Sequence, residues 1–302
     1  MSRRFAGYFF ALGSAASFGT LAISGKYAYA DGVSVSTLMA YRFGCAALGF
    51  AIVVAILFRN APWSTLITRM QMLKLFLLGA TILAPEVTLF FMGLAEPGVT
   101  AGLAETIFYI FPAWVIVISV LFFKHRITVT LFVCVLAALS GVALTAGTLS
   151  AQSLRGIAYL LAASVLYALY VALSGHWIGN VPPMIATAVM LAGTAMTLIV
   201  VALIRAEPGP VSAQGWLAVA MAIVIGTFLA YSLMYAALHR APASQVAVLA
   251  TAEPLVAVIL GWLLLSETMA GPQIVGSGLI LGAVVWLLTA EYRAERLRQA
   301  HP

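Results

Sequence analysis

Charge is what this chain has least of: 8% of its 302 residues are charged, against about a quarter in an average soluble domain. Asp31 is the only aspartate, so a catalytic aspartate pair is excluded. The sequence holds no H-E-x-x-H, no G-x-S-x-G and no G-x-x-x-x-G-K-[ST]. Zinc peptidase, nucleophile-elbow and phosphate-cradling chemistry thus lack their signatures, and an enzyme is not expected. The two cysteines, Cys45 and Cys134, fall inside apolar runs, where they read as small buried apolar residues with no disulfide or metal framework. The four histidines stand at the ends of such runs or in the tails. No metal and no cofactor is expected.

What fills the chain is apolar surface, with 64% hydrophobic residues and a mean hydropathy of +1.09. A helix of about 20 residues crosses about 30 Å of hydrocarbon. Between polar or Pro/Gly breaks, ten runs can be read, at about 6 to 27, 35 to 58, 72 to 93, 99 to 123, 128 to 148, 156 to 177, 183 to 204, 214 to 238, 243 to 265 and 272 to 290. The remainder suffices for connectors and tails and leaves no room for a soluble domain. The alternation of a membrane β-barrel is missing. The expected fold class is an all-α membrane protein.

Basic residues orient it. With both termini cytoplasmic, the inner side carries Arg3, Arg4, Arg59, Arg69, Lys74, Lys124, Arg126, Arg240, Arg293, Arg296 and Arg298, and the outer side only Lys26, Arg155 and Arg205. That positive-inside bias makes the net charge of +6 a report on topology, with no nucleic-acid partner implied. Residues 291–302 read as a short basic tail at the inner surface. The N-terminal "MSRRF", its apolar run and "AYA" at 28–30 imitate a secretory signal. The run is longer than the ~7–15 residues of a signal core, which favours a retained first span.

An internal repeat organises the runs. At a shift of 150, Ser14, Ala22, Ser24 and Gly25 meet Ser164, Ala172, Ser174 and Gly175. At a shift of 142, "YIFPAWVIVISVLFFKHRIT" meets "TAEPLVAVILGWLLLSETMA", with Pro112 on Pro254. Each half then holds five spans, and an odd number inverts the second copy relative to the first. Two inverted five-helix repeats, with helix breaks at matching places, are a carrier design whose solute site lies between the repeats.

The stretch 237–288 pairs a small-residue entry with Glu253-Pro254 in the ninth run, Glu267 at its outer end and a Gly-rich tenth run. In these features it resembles the closing half of an EamA domain of the drug/metabolite transporter superfamily. The resemblance extends over two units, 6–148 and 155–290. The first departs from the pattern, with Phe111-Pro112 for Glu253-Pro254 and Lys124-His125 for Ser266-Glu267. Membership would imply ten transmembrane helices in the bacterial inner membrane and export of amino acids or related small metabolites; the chain also resembles aromatic amino-acid exporters of the YddG type.

Four ionisable residues lie inside runs: Arg42, Glu86, Glu105 and Glu253. At about 1.5 Å per residue, the first three reach one level on the outer half, and Glu253 lies nearer the middle. Intramembrane charges either bind solute or protons, or pair with one another to hold helices together. Pro85, Pro112 and Pro254 mark possible bends, either ligand-lined or simple kinks. Phe108, Tyr167, Tyr170, Tyr231 and Tyr235 recur at helical spacing and either line an apolar solute cavity or fill the core. Gly278 and Gly282 form a GxxxG that serves close helix packing, within the chain or in a dimer. Glu267 reads as a helix-start residue. A passive channel or an exporter of other organic solutes is the alternative to an amino-acid carrier.

Overall fold

A backbone in hydrocarbon must satisfy its own N–H and C=O groups, which a helix does within one segment. The computed structural model describes residues 3–123, 129–146, 151–207, 209–238, 240–241, 246 and 249–300, and every regular element among them is helical. The helices are α1 (Arg3–Ala30), α2 (Val35–Leu57), the short α3 (Trp63–Leu66), α4 (Arg69–Leu78), α5 (Ala84–Ala95), α6 (Ala101–Phe108), α7 (Phe111–Phe123), α8 (Val129–Ala146), α9 (Ala151–Trp177), α10 (Pro183–Arg205), α11 (Ala213–Ile223), α12 (Ala230–Leu238), α13 (Ala252–Leu265) and α14 (Gly271–Ala300). Ser34, Thr68, Thr100 and Ser212 open α2, α4, α6 and α11, their hydroxyls accepting from backbone N–H groups that have no helical partner.

Among the described residues, six helices are long and apolar enough to cross a membrane: 6–30, 35–57, 69–95, 153–174, 183–205 and 213–234. Four more apolar helices are shorter, at 101–115, 132–144, 252–265 and 271–287. One reason is visible in the fourth and ninth runs. Two residues, Tyr109 and Ile110, interrupt the fourth before Pro112, and Thr251 interrupts the ninth before Pro254. The two interruptions coincide at the shift of 142 that aligns the prolines.

A second device also occurs twice. Single wide turns, Gly79–Leu83 and Val224–Leu229, sit inside otherwise continuous helices, joining α4 to α5 and α11 to α12. Pro85, just past the first, cannot donate to the carbonyl one turn back. Neighbouring hydroxyls satisfy the carbonyls of that turn: Thr194 donates to Gly79 O at 3.0 Å and Thr197 to Ala80 O at 3.1 Å. Thr227 donates across the second turn to Ala222 O at 2.8 Å.

The halves interlock. From the first half, α2 packs on α10, α5 on α9, α1 on α11, α12 and α13, α6 on α13, and α8 on α14. Gly141 meets Gly276 where α8 crosses α14, whereas among the described residues nothing lies within 4 Å of the Cβ positions of Gly278 and Gly282. Gly276 is therefore a packing glycine of the tenth run, and the GxxxG pair has no such neighbour among the described residues. Cys45 is exposed and Cys134 buried, so the expectation of two buried cysteines holds only for the second: Cys45 sits on the outward face of α2.

Two connectors at the end remote from the N-terminus are tied together. Asp31 accepts from the N–H groups of Val211 (3.0 Å) and Ser212 (3.3 Å), and Glu207 accepts from the hydroxyl of Ser36. Hydrogen bonds, led by Ser212 for Asp31 and by Ser36 for Glu207, hold both carboxyls below their ordinary range. A depressed native value stabilises the fold above the unfolded value of about 4 and ceases to do so as pH falls through the native one. Melting temperature in detergent is thus expected to fall more steeply below about pH 4 for wild type than for Glu207→Gln. Parallel curves would show the tie contributes nothing.

Candidate functional site

The four intramembrane charges meet in one cavity of about 560 Å³ between the halves, lined by Arg42, Glu86, Glu105 and Glu253 among aromatic and aliphatic side chains. Arg42 reaches it from α2 and is 5% exposed. Glu86 follows the Pro85 turn at the start of α5, Glu105 comes from α6, and Glu253 from the first turn of α13. The wide turn ahead of Pro85 and the interruption at Thr251 therefore lie next to charged residues.

Arg42 is not locked to a carboxylate. Its Nε donates to Thr227 Oγ1 at 2.9 Å, and its guanidinium lies 4.7 Å from the centre of the Phe43 ring and 5.6 Å from that of Phe91. Among the described residues it forms no ion pair within 4 Å, and Glu86 and Glu105 make no side-chain hydrogen bond. The pairing alternative is therefore not the arrangement adopted. These groups are electrostatic neighbours, since Arg42 feels Glu86, Glu105 and Glu253, but they stand apart. A site so arranged can accept a small ligand carrying both charges.

The aromatic wall is built by edge-on and tilted ring contacts. Tyr167 packs on Phe111 with ring centres 4.7 Å apart and on Phe108 at 5.2 Å, and Phe108 packs on Phe90 at 5.1 Å. Tyr231 also lines the cavity, edge-on to Phe18 at 5.2 Å. Tyr170 is not part of the lining; it stacks on Tyr167 from outside at 5.7 Å. The side chain of Tyr235 lies outside the described residues. Pro112 lines the cavity, and Pro85 and Pro254 stand next to lining residues in the chain.

Two polar residues of the site escaped sequence reading. Thr227 holds Arg42, and the hydroxyl of Tyr109 lies 2.7 Å from both Glu253 Oε2 and the carbonyl of Ala250. Tyr109 precedes Pro112 by three residues, and that proximity to a break was the available signal. Thr227 carried none beyond lying in an apolar run.

At the end remote from the N-terminus a polar cluster ties the halves together. Lys26 Nζ lies 3.8 Å from Glu267 Oε1 and also donates to the carbonyl of Val99. Glu267 Oε2 accepts from the N–H of Ala101 at 2.8 Å, and Tyr27 donates to the carbonyl of Leu264 at 2.9 Å. Glu267 thus caps the start of α6, not that of α14, which begins at Gly271. In a variant with Cys45 and Cys134 replaced by Ala and Leu21 by Cys, Glu267→Gln is expected to speed labelling by an impermeant thiol reagent applied from the Lys26 side. About 0.2–1 kcal/mol for a partly exposed ion pair corresponds to an increase of up to about fivefold; an unchanged rate would show that the pair does not close this end.

Comparisons with known proteins agree with this architecture. Residues 5–147 and 154–289 each match the model of the EamA-like transporter family. An uncharacterized transporter of Archaeoglobus fulgidus is 27% identical over 251 residues, covering 82% of this chain and 87% of that protein. A solved crystal structure superposes with a TM-score of 0.64 at 18% identity, covering 97% of this chain and 99% of the other, a likeness of fold.

Proposed function

Because the chain belongs to the EamA-like transporter family, we propose that it is a secondary carrier of the bacterial cytoplasmic membrane that exports amino acids with aromatic or other hydrophobic side chains. In this reading ten helices, as two inverted repeats with both termini cytoplasmic, rock about the central cavity and expose it to one side at a time. The observation that carries the proposal is Arg42, without an ion pair among the described residues, facing Glu86 and Glu105 in a cavity of about 560 Å³ walled by aromatic rings. That volume lies within the range of about 300–1,000 Å³ for small-molecule sites. Arg42 would take the solute carboxylate, Glu86 and Glu105 its ammonium, and Phe90, Phe108 and Tyr167 its side chain. The polar cluster at Lys26 and Glu267 supports a state closed on the outer side.

A second reading rests on the imbalance of three carboxylates against one guanidinium. With aromatic faces nearby, that balance also suits a hydrophobic organic cation. Direct binding to the purified protein separates the two. Phenylalanine and leucine are expected to bind and to be weakened strongly by N-acetylation or by removal of the carboxylate. Tight binding of tetraphenylphosphonium with none of phenylalanine would transfer the assignment to organic cations; binding of neither would remove both.

A further inference from the structure

Pro254 has no N–H, so the carbonyl of Ala250, one turn earlier, loses the donor an unbroken helix would supply. The hydroxyl of Tyr109, from the break in the other repeat, fills that place at 2.7 Å. The same oxygen lies 2.7 Å from Glu253 Oε2. A phenol has one proton to give, and a carbonyl can only accept. If Tyr109 gives its proton to Ala250, the short contact with Glu253 needs a second proton, and only Glu253 can supply it. Were Glu253 ionised and receiving the phenol proton, Tyr109 and Ala250 would be two acceptor oxygens 2.7 Å apart with no hydrogen between them.

We propose that Glu253 is a proton-binding site of this protein: its carboxylic acid donates to Tyr109, which donates to the carbonyl freed by Pro254, so that the bound proton completes a chain joining the two helix breaks. Titratable groups face Glu253 from several helices. From α6 it faces Glu105, from α2 Arg42, from α9 Tyr167 and from α12 Tyr231. Where α1 packs against it, Gly19 approaches the Glu253 backbone, and Lys26, the charged residue of α1 closest in sequence, is engaged with Glu267.

Loss of the proton to the cavity leaves a carboxylate that claims the phenol proton, and the carbonyl of Ala250 is orphaned. The break at Thr251 must then rearrange or a ligand cation must arrive. Resting on the carrier reading above, in which Glu86 and Glu105 hold the solute ammonium, this couples loss of the Glu253 proton to the arrival of that ammonium in the same cavity. No redox partner or further reactant enters.

Infrared difference spectroscopy of the purified protein, stepped between neutral and alkaline pH, tests the site without any solute. A band of a protonated carboxylic acid is expected in wild type at neutral pH, lost in Glu253→Gln and shifted in Tyr109→Phe. No such band, or a band unaltered by Glu253→Gln, would overturn the proposal. Glu253→Asp separates chemistry from misfolding: it keeps an acid and is expected to show a displaced band. In vesicles, wild type is expected to concentrate phenylalanine when a pH gradient is imposed, and Glu253→Gln to exchange labelled for unlabelled phenylalanine without responding to the gradient. A gradient response retained in Glu253→Gln would overturn the coupling. Failure of wild type to move phenylalanine would refute the amino-acid reading and leave the proton site to the infrared result.

Discussion

Arg42→Gln is expected to abolish measurable affinity for a carboxylate-bearing solute while leaving a folded, monodisperse protein. Arg42 is the cation lining the cavity, is buried, and uses Nε on Thr227, so its two terminal nitrogens remain as a fork without a hydrogen-bonded partner among the described residues. Such a fork matches a carboxylate in two parallel hydrogen bonds. Removing one partner of a buried charge pair costs about 2–5 kcal/mol, or about thirtyfold to several thousandfold in affinity. Arg42→Lys should rescue little, because a compact ammonium lacks the planar fork that holds Thr227 through Nε and presents two parallel donors to a carboxylate. Thr227→Val should weaken binding less, since it loosens the fork without removing it. The check is phenylalanine affinity of each purified variant. Wild-type affinity in Arg42→Gln would show that the guanidinium serves packing alone.

Gly79→Ala and Gly193→Ala are expected to have the largest effects on stability. A Cβ at Gly79 would overlap the carbonyl of Met190, and one at Gly193 the carbonyl of Phe76, so each faces backbone that cannot rotate away. This crossing of α4 and the following wide turn with α10 brings Thr194 to the carbonyl of Gly79. Overpacking of this kind costs about 1–3 kcal/mol, with separation of the helices adding the loss of those hydroxyl contacts. Gly278→Ala and Gly282→Ala are the controls: the space around them is open, and alanine in a helix interior is favoured by about 1 kcal/mol. Melting in detergent is expected to fall in the first pair and to hold or rise in the second. The reverse order would refute the packing described.

The sequence carried the large features because lipid writes simple rules. Apolar run length and scarcity of charge marked the helices, and the aligned Pro112 and Pro254 marked the two places where a run is interrupted. Arg42, Glu86, Glu105 and Glu253 stood out because an ionisable group in hydrocarbon is unfavourable unless something uses it, and all four line one cavity. What sequence could not supply was the side chain opposite. Thr227 and Tyr109 are ordinary residues of membrane helices until tertiary packing puts an arginine beside one and an orphaned carbonyl beside the other. Tyr170 illustrates the converse, since helical spacing put it near Tyr167 but packing turned it away from the cavity. Glu267 was legible as a capping residue, yet the helix start it caps belongs to α6, far away in sequence.

The central claim is that the charged cavity between the repeats is a solute site exposed to one side at a time. Counterflow tests it most directly, with vesicles of purified protein loaded with unlabelled phenylalanine and given a trace of labelled phenylalanine outside. The account predicts a transient accumulation of label above equilibrium in wild type, absent in Arg42→Gln. Label that only equilibrates would indicate a passive pore, and accumulation undiminished in Arg42→Gln would place the site elsewhere.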